Sequence, residues 1–266
     1  MIKNIKSNFI LKSIFTNIHN KSILKIVKYN KNILQRLNII SQDFKVYEAL
    51  KEFNKKYNLK IKDIDIKILE LNGKEIGNEE LEYLVSIKFN KLKELYLDFN
   101  KISELKVFEK IKLDNLQILN LSYNHLKDIK NIENANLKEL KILNLRGNLI
   151  SGINELEKAN IEKLKILNLE WNCIADISVL EKVNFKELKE LNLLHNNISD
   201  INVLEKVKFE KLEILILDWN QITDIKVLSN IKLKNLKGLY LYGNPIVENS
   251  SIPNYLESII EYKIDN

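Results

Sequence analysis

The sequence predicts an α/β solenoid: a curved horseshoe with a parallel β-sheet on its concave face, preceded by a small α-helical segment. Three observations predict it. The pattern LxxLxLxxN starts at Leu92, Leu116, Leu140, Leu164, Leu188, Leu212 and Leu236, and every step is 24 residues. Only 6 glycines and 2 prolines interrupt 266 residues, which favours a regular backbone. Residues 1–60 carry none of the pattern, so the repeat has a definite beginning.

Each repeat divides into two halves. In LxLxx the side chains alternate between faces, so two leucines point inward and the residues between them point outward. That is one short strand per repeat, and identical strands at constant spacing stack side by side roughly 4.8 Å apart. The asparagine that ends the pattern (Asn100, Asn124, Asn148, Asn172, Asn196, Asn220 and Asn244) marks the place where the chain turns inward. A turning backbone leaves N–H and C=O groups without partners, and an amide side chain can satisfy both kinds. The column is therefore expected to be structural. The second half reads ISDIxVLExVxF, as in Ile198 to Phe209. Ser199 and Asp200 are helix-capping types, with Ile201, Leu204 and Val207 at helical spacing behind them, so a short helix or tight turn brings the chain back. Narrow strands in front and wider elements behind bend the stack.

The ends need closing. IKILELNGK, from Ile66 to Lys74, is a degenerate first repeat with lysine in the asparagine place, and it runs two residues longer before Leu92. Residues 245–266 form the other cap, in which Pro253 opens a predicted helix carrying Ile252, Leu256, Ile259 and Ile260. The expected domains are 1–60 and 61–266. Residues 1–60 read as short amphipathic helices, one of them following Ser41 and Asp43 with Phe44, Tyr47, Leu50 and Phe53 on one face.

These repeats, with the IxxI stretch after each asparagine, resemble the leucine-rich repeat family in its short-repeat class. That class includes bacterial internalins and cytosolic proteins that bind phosphatase catalytic subunits. The resemblance covers about residues 61–266 and implies the horseshoe and a protein-binding concave face. A second resemblance is shorter. ILKSIFTNIHNKSILKIVKYNKNI, from Ile10 to Ile33, is similar to an F-box in Ile10-Leu11, Ile14-Phe15, Leu24, Val27 and Asn30-Lys31, but lacks the leading Leu-Pro and the trailing Trp. It implies an alternative function, a substrate receptor of a cullin-type ubiquitin ligase. The plain reading of residues 1–60 is a helical cap.

Function is legible in the outward positions. Counting from the first leucine of each repeat, the eighth reads Phe99, Tyr123, Gly147, Trp171, His195, Trp219 and Gly243, and both tryptophans of the chain stand there. An acid precedes three of these rings: Asp98, Glu170 and Asp218. Tyr96, Tyr240 and Tyr242 add rings at the fifth and seventh positions, and Arg146 is the one formal base in the outward set. Exposed tryptophan, tyrosine and arginine are the usual anchors of protein interfaces. The competing reading is that the rings lie flat over neighbouring repeats and shield the asparagine column.

Charge placement separates the partner classes. The chain is +6 overall, yet the outward set holds Glu94, Asp98, Glu170, Glu190 and Asp218 against Arg146. A surface that tracks phosphates needs the opposite sign, so nucleic acid is not expected. Second-position lysines (Lys93, Lys141, Lys165, Lys189, Lys237) form a possible basic rim. The expected partner is a protein with a basic or apolar patch, held by a monomer. No catalytic residue, metal or cofactor is expected: His19, His125 and His195 lie far apart, and no phosphate loop appears. The single cysteine, Cys173, excludes an intrachain disulfide and is expected to be buried. With lysines breaking every N-terminal apolar run, neither leader nor membrane span is expected, and the chain reads as cytoplasmic.

Overall fold

The structure, a computed structural model, describes residues 41–62, 64–247 and 260–261. The F-box-like segment and the other helices expected before residue 41 lie outside these, as do residues 252–259 of the predicted closing helix. The chain divides into two compact units, residues 1–61 and 62–266.

In the first unit, helix α1 spans Ser41–Tyr57. Asp43 lies within it rather than before it. Leu50, Phe53 and Tyr57 are buried along one face, and the Phe53 and Tyr57 rings meet edge-on at 5.0 Å. Lys55 and Lys56 occupy the last turn, where the helix dipole favours cations. The Asn54 side chain closes the end, donating to the Ile61 carbonyl at 2.8 Å and accepting the Ile61 N–H at 3.0 Å.

The second unit is a curved solenoid built on one parallel sheet. Its strands are β1 (Ile68–Glu70), β2 (Glu94–Tyr96), β3 (Ile118–Asn120), β4 (Ile142–Asn144), β5 (Ile166–Asn168), β6 (Glu190–Asn192), β7 (Ile214–Ile216), β8 (Gly238–Tyr240) and β9 (Ile260–Glu261). They pair in sequence order, without a crossover. The register never slips, as Leu95↔Leu119 and Leu143↔Leu167 show. The fourth- and sixth-position leucines, such as Leu167 and Leu169, are fully buried, and the residues between them face outward. Ile260 belongs to β9, paired through Leu239↔Ile260, and not to the helix expected there. A strand adds hydrogen bonds to the otherwise open edge of β8, which one more helical turn would leave unpaired.

Among the described residues the return half of the six regular repeats that start at Leu92 to Leu212 is a 3₁₀ turn, as at Lys106–Glu109, Ser178–Glu181 and Asn202–Glu205. Twenty-four residues leave no room for more. The first repeat, two residues longer, fits a true α-helix, α2 (Glu82–Ile87), whose Leu84 and Ile87 are buried. Ser199 is not a cap. Asp200 instead accepts the N–H of Asn202 at 2.8 Å, and Asp176 and Asp224 do the same for Ser178 and Lys226. These are turns closed by a side chain two residues back.

The asparagine column sits inside. Asn172 donates to the carbonyls of Leu145 and Leu169, both at 3.0 Å, and accepts the Ile150 N–H at 3.0 Å. Asn124, Asn148, Asn196, Asn220 and Asn244 repeat this set, so each amide ties its own turn to the preceding repeat. Asn100 ties β2 to the degenerate repeat, accepting the N–H groups of Lys74 and Ile76. Cys173, one residue beyond Asn172, is exposed rather than buried. Its neighbours Asn172 and Ile174 both point inward, and alternation turns the thiol out. On the convex side Lys182–Glu157 and Lys206–Glu181 span adjacent repeats at 3.7 and 3.5 Å. Such solvated pairs contribute little to stability. Among the described residues no helix is long and apolar enough to cross a membrane.

Candidate partner-binding face

After each strand the chain reverses its handedness for one residue. The eighth position has a positive φ in every repeat: Gly73 61°, Phe99 55°, Tyr123 53°, Gly147 65°, Trp171 56°, His195 56°, Trp219 52° and Gly243 69°. This left-handed step turns the next residue, the asparagine, into the core. Glycine takes it freely, whereas a residue with a Cβ pays roughly 1–2 kcal/mol there. Five repeats nevertheless place an aromatic ring or an imidazole at this position.

The rings lean along the column. Phe99 stacks on Tyr123 at 4.4 Å and 11°, and Trp171 on His195 at 4.1 Å and 25°. Where the next residue is glycine, the ring lies over it. A Cβ on Gly147 would come within 2.6 Å of the Tyr123 ring, and one on Gly243 within 2.7 Å of the Trp219 indole. Trp219 also meets Tyr242 edge-on at 5.5 Å. The rings thus cover adjacent repeats and still face solvent: Phe99 is 59% exposed, Tyr123 38%, Trp171 50%, Trp219 52% and Tyr242 42%. The rings lie over adjacent repeats, as the shield reading expected, and keep an exposed face.

A second amide column, at the fifth position, fixes this surface from beneath. The Oδ1 atoms of Asn120, Asn144, Asn168 and Asn192 accept the N–H of Ser122, Arg146, Glu170 and Leu194 at 2.9–3.1 Å. The neighbouring sixth- and eighth-position N–H groups already reach carbonyls of the next repeat, as Leu169 does to Asn192 and Trp171 to Leu194. The asparagine supplies the acceptor for the N–H between them. Asp218 acts at the end of the column, accepting the Tyr242 N–H at 2.6 Å.

The charged residues are mostly engaged. Glu170 is only 9% exposed, pairs with Arg146 at 3.1 Å and accepts from Asn192 at 3.4 Å. It is a buried partner of Arg146, not a surface acid. Arg146 also lies over the Tyr123 ring at 5.5 Å. Asp98 accepts from Asn120 at 2.9 Å, and burial raises its carboxyl above the usual range. The Tyr96 hydroxyl donates to Glu94 at 2.9 Å, and burial followed by that carboxylate raises its pKa. Tyr240 folds over Gly238, whose Cβ would sit 2.8 Å from the ring. His125 and His195 join no cluster: among the described residues no group of three His, Cys, Asp or Glu side chains is placed to hold a metal ion.

At the rim, Glu213 stands between two lysines, Lys189 at 2.8 Å and Lys237 at 2.5 Å. These hydrogen bonds hold its carboxyl at about 2, below the ordinary 4.5. With the folded value depressed, the stabilisation is complete above the unfolded value and is lost as pH falls through about 4.5 toward 2. A carboxyl-detected NMR titration is expected to place the Glu213 midpoint well below 4.5. A midpoint near 4.5 would mean that the two lysines do not hold it.

Sequence reasoning missed the left-handed step. The signal was there in Gly73, Gly147 and Gly243, which fall in one column. The comparisons with known proteins agree with this architecture. A family profile described as leucine rich repeat matches residues 90–150 and 114–174. Internalin C2 of Listeria monocytogenes superimposes with a TM-score of 0.58 at 24% identity, over 81% of this chain and 92% of that one. A leucine-rich repeat protein of Leptospira interrogans gives 0.55 at 30% identity, over 68% of this chain and 44% of that one. The TLR13–ssRNA13 complex gives 0.59 at 26% identity, over 74% and 28%. No curated protein sequence matches the chain.

Proposed function

Because the chain is a leucine-rich repeat protein, we propose that it is a non-catalytic binding module that holds a protein partner against its concave face. The observation that carries this reading is the row of half-exposed rings kept at left-handed positions that glycine would fill without strain. Ring-on-ring stacking offsets part of that cost, and burial against a partner supplies the rest. The mechanism is rigid presentation. The stack is ordered before binding, so little conformational entropy is lost on contact. The Phe99–Tyr123, Trp171–His195 and Trp219–Tyr242 pairs are the anchors, with Tyr96 and Tyr240 beside them. Acids outnumber bases on this surface, which suits a basic or apolar protein patch and repels phosphate. One TLR13 neighbour is an RNA complex, which makes single-stranded RNA the competitor to test. A single exposed thiol, Cys173, suits a reducing cytoplasmic compartment.

The test uses glycine, the residue the chain itself carries at positions 147 and 243. Full-length wild type, a Trp171→Gly/Trp219→Gly variant and a convex control, Lys182→Ala, serve as baits. Each ring is expected to contribute about 2 kcal/mol, roughly thirtyfold in affinity. A captured protein should be lost by the double variant alone, while all three baits keep the same melting temperature. Retention by the double variant, or ring-dependent capture of RNA instead of protein, would refute the proposal.

A further inference from the structure

The exposed apolar side chains of the solenoid gather on one rim. Among the described residues, every exposed large apolar side chain but Ile68 falls between the seventh and twelfth positions of a repeat, where the chain leaves the strand and turns. The row of rings has two gaps, at Gly147 and Gly243, and each is filled from farther along the turn. Leu149 is 51% exposed and Val247 62% exposed. No other repeat carries leucine at the tenth position or valine at the twelfth. The row therefore runs from Phe99 to Val247 with no repeat left out, and His195 holds the place between the two tryptophans.

The backbone beneath this row is closed to an added strand. The Trp171 N–H donates to the Leu194 carbonyl of the next repeat and the Cys173 N–H to the Ile150 carbonyl of the one before, both at 2.9 Å. The eighth and tenth positions of all six repeats from Leu92 to Leu212 follow the same two rules. An extended partner segment laid here could not join the sheet, and its own N–H and C=O groups would be buried against rings without partners. A helix brings its backbone bonds with it. The dimensions agree. Strands stack roughly 4.8 Å apart and the spacing widens toward the convex side, so along the rim each repeat advances by close to one helical turn of about 5.4 Å. Seven repeats span about 29 Å at the strand spacing, the length of a helix of about 19 residues.

The rim also has a sign. Positions seven to fourteen of the repeats that start at Leu164, Leu188 and Leu212 hold five acids (Glu170, Asp176, Asp200, Asp218 and Asp224) and no lysine or arginine. The same positions of the three repeats before them hold three acids and three bases. Glu170 is engaged by Arg146, whereas Asp176 and Asp200 are exposed. Each accepts one N–H at 2.8 Å, from Ser178 and Asn202. The Ser178 bond holds the Asp176 carboxyl below the usual carboxylate range, so it stays charged.

Resting on the reading that a protein binds this face, we propose that the partner lays a basic amphipathic α-helix of about five turns along this rim. Its apolar stripe covers the ring row through Leu149, and its lysines or arginines gather over Asp176 and Asp200, beside the two tryptophans. The acidic rim selects the basic helix, and the apolar row sets its direction.

The test is a random twenty-residue peptide library displayed against the full chain, with selected peptides remeasured by fluorescence polarisation and circular dichroism. Enriched peptides should carry apolar residues at helical spacing with bases beside them, gain helicity on binding, and lose at least about tenfold in affinity when a central residue becomes proline. Leu149→Ser alters the row outside the ring anchors. The pair Asp176→Asn/Asp200→Asn removes charge and keeps the acceptors for Ser178 and Asn202. Each should weaken binding by about tenfold at an unchanged melting temperature. Peptides weakened by Trp171→Gly/Trp219→Gly that bind without helicity, or that ignore Leu149→Ser and the aspartate pair, would overturn the helix and leave the concave reading standing. Peptides indifferent to the rings as well, or no binders from the library, would count against both. A chain that dimerises in sedimentation, and stops doing so as Leu149→Ser, would make the occupant a second copy and overturn the foreign helix.

Discussion

Asn172→Ala is expected to lower unfolding stability by about 2–3 kcal/mol, among the largest effects of any single side chain outside the leucines. The loss strands the buried N–H of Ile150 and takes one of two amide donors from each of the Leu145 and Leu169 carbonyls, which keep Asn148 and Asn196. A buried polar group left without a partner costs roughly 1–3 kcal/mol. Asn172 is 8% exposed and the neighbouring Ile174 fully buried, so the site left by the amide lies away from solvent. The control is Asn197→Ala. Asn197 is exposed and only its backbone is engaged, so its loss should stay within about 0.5 kcal/mol. Urea unfolding of the two variants beside wild type measures the difference. Equal midpoints would mean that the column does not tie the repeats together.

Leu169→Ala is the second. Leu169 is fully buried on the sheet between Leu145 and Leu193, in a stack where every repeat fills the space of its neighbours. A leucine truncated in such a core costs about 2–5 kcal/mol through lost transfer energy and the cavity left behind. The solenoid cannot collapse around the hole without slipping its register, which places the expectation toward the upper part of that range. Trp171→Gly, two residues away, should change stability by less than about 1 kcal/mol. It loses the stack on His195 and relieves the left-handed strain at the same residue. A pair of denaturant curves separates the two cases, and a Trp171→Gly midpoint as low as that of Leu169→Ala would place the indole in the core.

The sequence was a sufficient guide wherever one physical rule acts alone. Alternation in LxLxx placed Leu167 and Leu169 inside, and the constant step of the repeat set the strand register. It was a poorer guide where two rules compete. The spacing of Ile201, Leu204 and Val207 suits a helix, but the short return path compresses it into a 3₁₀ turn. Pro253 and the apolar spacing behind it suit a helix too, yet β8 has an open edge to pair, and Ile260 joins it. Glu170 reads as a surface acid because nothing in a linear pattern says that Arg146, one repeat earlier, folds down onto it. The Cys173 thiol reads as buried from its size, whereas the inward turns of both neighbours push it out. At the eighth position, ring chemistry was visible and backbone conformation was not: the glycines and the rings look like alternatives until φ shows that they solve one turn.

The most direct test is acrylamide quenching of native-state tryptophan fluorescence, since the chain's two tryptophans, Trp171 and Trp219, both stand in the column. Two half-exposed indoles should give red-shifted emission and a quenching constant close to half that of the urea-unfolded chain, falling when a partner covers the face. Blue-shifted emission that acrylamide barely reaches, in the protein alone, would contradict the account.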